Sequence, residues 1–273
     1  MPEDGLKVFK DSEDYQTVMS EGGLEIRRKT DLPTPNNRVI KADFVFVIDT
    51  TGSMDHEIVG LMKTCEKFAN AVAQRNIDYR MGIVAFGDLT IQPPDKMVAF
   101  PLIANAQRIA HAFGEVLEKH RTSGGGNTGE SSVDALWQAA EGFRFRQDAV
   151  KVFLLFTDEP PLDPDTKQRT MAYTIQEFKK RQIVCFCITG PDEGFKRLAK
   201  ETKGDWFLIS AGTDFLGILN KLFQRVADVT VEVGLRLPSG SGTFLHKSLV
   251  DKKNHLSLDG RGPGEGEIEA PSP

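Results

Sequence analysis

Asp49, Thr51 and Ser53 stand at alternate positions in the run Asp49-Thr50-Thr51-Gly52-Ser53-Met54. They offer one carboxylate and two hydroxyls within a single tight turn. Hard oxygen donors that close together suit Mg²⁺ or Mn²⁺. Two further loops carry oxygen donors, Ser123-Gly124-Gly125-Gly126-Asn127-Thr128-Gly129-Glu130 and Thr157-Asp158. One short Asp/Ser/Thr turn says little, because such turns are common. Three donor loops, two of them directly after apolar runs and the third rich in glycine, say much more.

The elements that must position these donors are legible around them. Phe44-Val45-Phe46-Val47-Ile48 is unbroken, β-branched or aromatic, and too short to cross a bilayer. It reads as a strand buried on both faces. Ser53 or Asp55 can then cap a helix carrying Ile58 to Val72. A buried parallel strand that ends in a carboxylate and hydroxyls builds a site at the crevice of an open α/β sheet.

Further strand patterns at 78–86, 150–157, 183–189 and 206–210 alternate with helical patterns at 55–75, 105–119, 131–146, 167–181, 193–202 and 213–228. A short edge strand near 97–102 is blunted by Pro101. This alternation predicts an α/β fold with a doubly wound, mostly parallel sheet covered by helices on both faces. Residues 1–39 read as an N-terminal extension with a short helix near Asp14–Met19 and an edge strand near Leu24–Arg27. The main domain runs over 40–228. Beyond it, Val231, Val233, Leu235 and Leu237 alternate, and Thr243–Val250 is expected to pair with them as a hairpin, giving a short C-terminal β extension over 229–258. The tail over 259–273 is rich in Gly, Glu, Pro and Ser and is expected to be disordered.

Composition narrows the function classes. The chain has 273 residues, 40% apolar and 27% charged, with a net charge of −5 and no basic stripe, which argues against a nucleic-acid partner. No apolar run approaches the roughly 20 residues of a membrane span, and the N-terminus lacks the apolar core of a secretory signal. Cys65, Cys185 and Cys187 read as reduced core residues, so a cytoplasmic location is expected. Gly124-x-Gly126-x-x-Gly129 matches a dinucleotide fingerprint in letters only, because a helical pattern precedes it. Trp137, Phe143 and Phe145 read as core or interface. The five histidines are scattered, and no nucleophile with a paired base can be assembled from spacing, so the chain is not expected to be an enzyme.

Asp49-Thr50-Thr51-Gly52-Ser53-Met54 resembles the first motif of von Willebrand factor A domains with a metal-ion-dependent adhesion site. The commoner form is D-x-S-x-S, and threonine at the middle position keeps the hydroxyl. The resemblance covers about residues 40–225 and includes the other two loops in order. It implies a Rossmann-like fold and a Mg²⁺ (or Mn²⁺) site formed by Asp49, Thr51, Ser53, Asp158 and either Thr128 or Glu130. Many relatives present G-G-T-x-T-G at the second loop, but here Gly126 stands at the first threonine. The run through Glu130 is closer to the branch, seen in integrin β subunits, in which the glutamate is the ligand. Glu130 is therefore preferred over Thr128.

Three carboxylates would more than neutralise the ion, holding it firmly while binding a partner's acid less avidly. The implied function is a metal-dependent protein-interaction module within an intracellular assembly, with an Asp or Glu of a partner protein completing the coordination. Two other readings stay open. One is a metal-dependent, phosphoesterase-like hydrolase using the same carboxylates, with Asp55 and Asp88 as distant candidates for the second metal or general base it would need, and the other is a scaffold with a vestigial site. Asp55 and Glu57 are expected to compensate the helix dipole instead of binding a second ion.

Overall fold

The computed structural model describes residues 15–20, 23–28, 39–122, 129–210 and 214–237. The chain divides into two compact units, Met1–Gly240 and Ser241–Pro273, and all described residues belong to the first. The expected hairpin partner at 243–250 and the tail over 259–273 therefore lie outside the described residues.

β1 (Tyr15–Ser20) and β2 (Gly23–Arg28) pair antiparallel as a two-stranded sheet. The expected strand near Leu24–Arg27 is present. The helix expected near Asp14–Met19 is instead a strand, in keeping with the extended-chain preference of Tyr15, Thr17 and Val18.

The main sheet follows from β3 (Ile40–Asp49), α1 (Asp55–Gln74), β4 (Ile77–Phe86), β5 (Val98–Ile103), α2 (Ala106–Lys119), α3 (Ser132–Gly142), β6 (Ala149–Thr157), α4 (Met171–Lys180), β7 (Ile183–Thr189), α5 (Glu193–Glu201), β8 (Trp206–Leu208) and α6 (Phe215–Arg236). Its six strands lie in the order β5-β4-β3-β6-β7-β8, all parallel except β5 at the edge. This is the doubly wound α/β fold expected from the alternation.

The apolar run of β3 explains its central place. Ala42, Phe44, Phe46 and Ile48 enter a core with α1, α2 and α6, while Val45 and Val47 enter a second core with α3, α4 and α5. On the first face the Phe68 ring sits 5.1 Å from Phe44, 5.8 Å from Phe46 and 4.7 Å from Phe223. The chain leaves β3 for β4 on one side, and β6 lies on the other. The strand order thus reverses beside β3, and the C-terminal ends open a crevice there.

Several boundaries differ from the sequence expectation: α4 begins at Met171, later than 167, and β8 ends at Leu208, short of 210. α3 stops at Gly142, because Phe143 and Phe145 continue as extended chain into the second core and Arg146 reaches Asp43. The larger correction is at the C-terminus. Residues 230–236, expected as a strand, continue α6. Alternating apolar letters gave a period of two, yet Val226, Val229, Thr230 and Gly234 form a buried helical face. The Thr230 hydroxyl is satisfied within the helix, donating to the Val226 carbonyl at 2.6 Å.

Gly234 lets that helix approach the sheet. A Cβ there would lie 2.3 Å from Ile40 Cγ2 and 3.3 Å from Val150 Cγ2. Gly234→Ala should therefore destabilise the domain by about 1–3 kcal/mol, against the small gain a helix usually draws from alanine. Urea unfolding of the two proteins checks this, and a neutral or stabilising result would mean that α6 does not dock so closely.

Candidate metal centre

Asp49 ends β3 fully buried, and its two carboxylate oxygens are held by different loops. Oδ1 accepts the Thr51 amide at 2.9 Å, and Oδ2 accepts the Thr157 hydroxyl at 2.8 Å. Thr157 is the last residue of β6, so the first and third sequence loops meet through this carboxylate. Thr51 and Ser53 bring their hydroxyl oxygens to 3.1 Å from each other. Neighbouring ligands of an octahedral Mg²⁺, each about 2.0–2.1 Å from the ion, lie about 3 Å apart.

Neither Ser53 nor Asp55 caps α1, whose first residue follows a short 3₁₀ turn over Gly52–Met54. The Ser53 hydroxyl therefore faces Thr51, and Asp55 pairs with Arg121.

Glu130 arrives from the second loop and is bound to the third. Its amide donates to the Pro160 carbonyl at 3.0 Å, and its own carbonyl accepts the Leu162 amide at 2.9 Å. Gly129 just before it has φ of 114°, a left-handed conformation that glycine adopts freely. The β6–α4 loop is fixed further along. Asp134 of α3 accepts the Thr166 amide at 3.1 Å and the Thr166 hydroxyl at 2.5 Å. Arg169 pairs with Asp165 at 2.6 Å and stacks over the Trp137 ring at 4.6 Å. Two loops carrying candidate ligands are thereby joined into one rigid wall.

The site is strongly acidic. Burial pushes the Asp49 carboxyl up to about 6, despite the hydrogen bonds from Thr51 and Thr157 that oppose the shift. Burial pushes Glu130 up to about 8, with further contributions from the negative charges of Asp49, Asp88, Asp95 and Glu159. Glu130 Oε2, Asp158 Oδ1 and Asp88 Oδ2 are buried without a hydrogen-bond partner among the described residues. None of Asp49, Asp88, Asp95, Glu130, Asp158 and Glu159 is ion-paired among those residues. Orphaned buried carboxylate oxygens are costly unless a cation meets them.

Among the described residues no three acidic, histidine or cysteine side chains form a metal cage by themselves. A cation here would depend on the Thr51 and Ser53 hydroxyls and on water as well as on carboxylates. Such a mixed oxygen donor set suits Mg²⁺ or Mn²⁺.

Of the sequence candidates, Asp49, Thr51, Ser53, Glu130 and Asp158 all belong to the three loops gathered at the C-terminal ends of β3 and β6. Thr128 lies outside the described residues. Sequence reasoning missed the part played by Thr157 as the donor to Asp49. It also placed Asp88 only in a hydrolase reading. Asp88 is fully buried and adds its charge beside Glu130. The available signal was position, since Asp88 follows β4 as Asp158 follows β6.

A mostly parallel, doubly wound sheet with a hydroxyl-and-carboxylate crevice at the C-terminal ends of its central strands defines the class as an open α/β domain. The von Willebrand factor A domain model matches residues 43–207, and the chain belongs to that family. A search of curated proteins gives no match. Among the described residues, no helix is long and apolar enough to cross a membrane.

Proposed function

We propose that this domain is a metal-dependent protein-interaction module, with Asp49, Thr51, Ser53, Glu130 and Asp158 around a Mg²⁺ or Mn²⁺ ion. The observation that carries the reading is the pair of orphaned buried carboxylate oxygens on Glu130 and Asp158, two acids whose charges both interact with that of Asp49. Bound there, the ion supplies a Lewis-acidic point of attachment for an Asp or Glu of a partner protein. The chain's own residues do the rest. Thr157 and the Thr51 amide fix the Asp49 carboxylate, and the Glu130 backbone ties the second loop to the third. The role is binding, with no turnover. An intracellular assembly is the proposed setting, supported by three free, buried cysteines that suit a reducing compartment.

Thermal unfolding of wild type and Asp49→Ala, each in EDTA and in millimolar Mg²⁺ or Mn²⁺, tests the metal. A ligand that binds only the native state raises stability by RT ln(1 + [L]/Kd), roughly 2.7 kcal/mol at a hundredfold excess over Kd. The wild type should shift upward and Asp49→Ala should not. A wild type indifferent to both ions would leave the fold in place with a vestigial site.

A further inference from the structure

Beside the carboxylate crevice lies a cleft of about 270 Å³ between the β4–β5 connection and the end of α2. Ile91, Pro93 and Val98 give it apolar walls, while Lys96, Lys119 and Arg121 bring positive charge against the single acid Asp95. That balance contrasts with a chain whose net charge is −5 and with the acid-lined crevice next door.

The two features share a wall. Thr122 donates its amide to the Thr50 carbonyl at 3.1 Å, and Thr50 stands between Asp49 and Thr51. Asp95 Oδ2 accepts the Asp88 amide at 3.0 Å, which turns that carboxylate toward the crevice side. Arg121 is held by Asp55 at the start of α1, just after Ser53. Lys96 is exposed and has no ion pair among the described residues, and Lys119 pairs only with Glu115 on its own helix.

We propose that this cleft is a second recognition site for the partner that reaches the metal, and that it selects an extended acidic segment. One carboxylate of the segment completes the ion's coordination, which rests on the metal reading above. A second Asp or Glu lies against Lys96 and Lys119, and the intervening chain passes over Pro93 and Val98. The two acids thus lie on one extended stretch of chain, the second on a flank of the first. The charge logic also supplies selectivity, because a segment with lysine or arginine there meets Lys96 and Lys119.

The test uses the full chain, immobilised, with short synthetic peptides that carry one fixed glutamate and randomised flanks. In millimolar Mg²⁺ the retained pool should be enriched in Asp and Glu at those flanking positions by about threefold, a factor in keeping with exposed ion pairs. The charge-reversed double variant Lys96→Glu, Lys119→Glu should retain peptides in a Mg²⁺-dependent manner but lose the enrichment. Its metal-induced rise in melting temperature should persist, since neither exposed lysine is one of the donors. A wild-type pool with no acidic flank preference, or the same preference in the variant, overturns the cleft while leaving the metal reading intact. Retention that ignores EDTA overturns both.

Discussion

Asp43→Ala should cost the domain about 3–5 kcal/mol, the amount typical of breaking a buried ion pair by removing one partner. Asp43 lies fully buried in β3, toward the end of the sheet opposite the crevice. Its carboxylate accepts Arg80 Nε at 2.9 Å and Nη2 at 2.6 Å, and the Arg146 amide and Nε at 2.8 and 2.9 Å. Arg146 goes on to Asp78 and to the Ala42 and Asp78 carbonyls. Alanine would remove the shared carboxylate from two guanidinium groups and a backbone amide, leaving Arg80 the Arg144 carbonyl and Arg146 its Asp78 and Ala42 partners.

Against a total stability of about 5–15 kcal/mol this is a large fraction, and the melting temperature should fall by about 10 °C. Chemical denaturation measures it directly. The metal-induced increment should survive, because six residue steps of strand, about 20 Å, lie between Asp43 and Asp49. A loss below about 1 kcal/mol would mean that the network behaves as a solvated surface cluster.

Glu130→Gln should split two properties that usually move together. Without metal, the native state holds Glu130 and Asp49 protonated up to about pH 8 and about pH 6. The unfolded chain releases those protons near 4.5 and 3.8. Between each pair of values the native state binds more protons than the unfolded one. Stability in EDTA is therefore greatest below the unfolded values and falls as pH rises through the folded ones, by at most about 1.4 kcal/mol per pH unit for each group.

Glutamine removes one buried negative charge from beside Asp49, Asp88, Asp95 and Glu159. The variant in EDTA at pH 8–9 should therefore melt at a higher temperature than wild type, with a shallower pH slope. In millimolar Mg²⁺ the order should reverse, because a divalent ion replaces the protons in wild type and finds a weaker donor in the variant. Melting curves across pH with and without the ion check both signs. A variant less stable than wild type in EDTA, or one with the full metal response, would show that Glu130 is neither strained by its neighbours nor a ligand.

Most of the framework was legible because buried parallel strands need no partner information to announce themselves. Phe44–Ile48, Val152–Phe156 and Ile183–Ile188 are apolar on both faces, so their continuity marks them, and the polar residue that ends each run marks a loop at the crevice. The same locality explains Asp49, Thr51 and Ser53, which one turn brings together. Where a segment's period was ambiguous, local reading failed. Val231, Val233, Leu235 and Leu237 alternate as a strand would, but the packing of Gly234 against Ile40 and Val150 favours a helix.

The sequence by itself determined the alternating α/β order, the family motif and the donor types. Only the tertiary structure decided which donors share a site, since that depends on strand order. Placing β6 beside β3 brings the Thr157 hydroxyl to Asp49 across 108 residues, and it joins Glu130 to the Asp158 loop. Burial and neighbouring acids then raise the pKa values of Asp49 and Glu130, a property no residue carries alone.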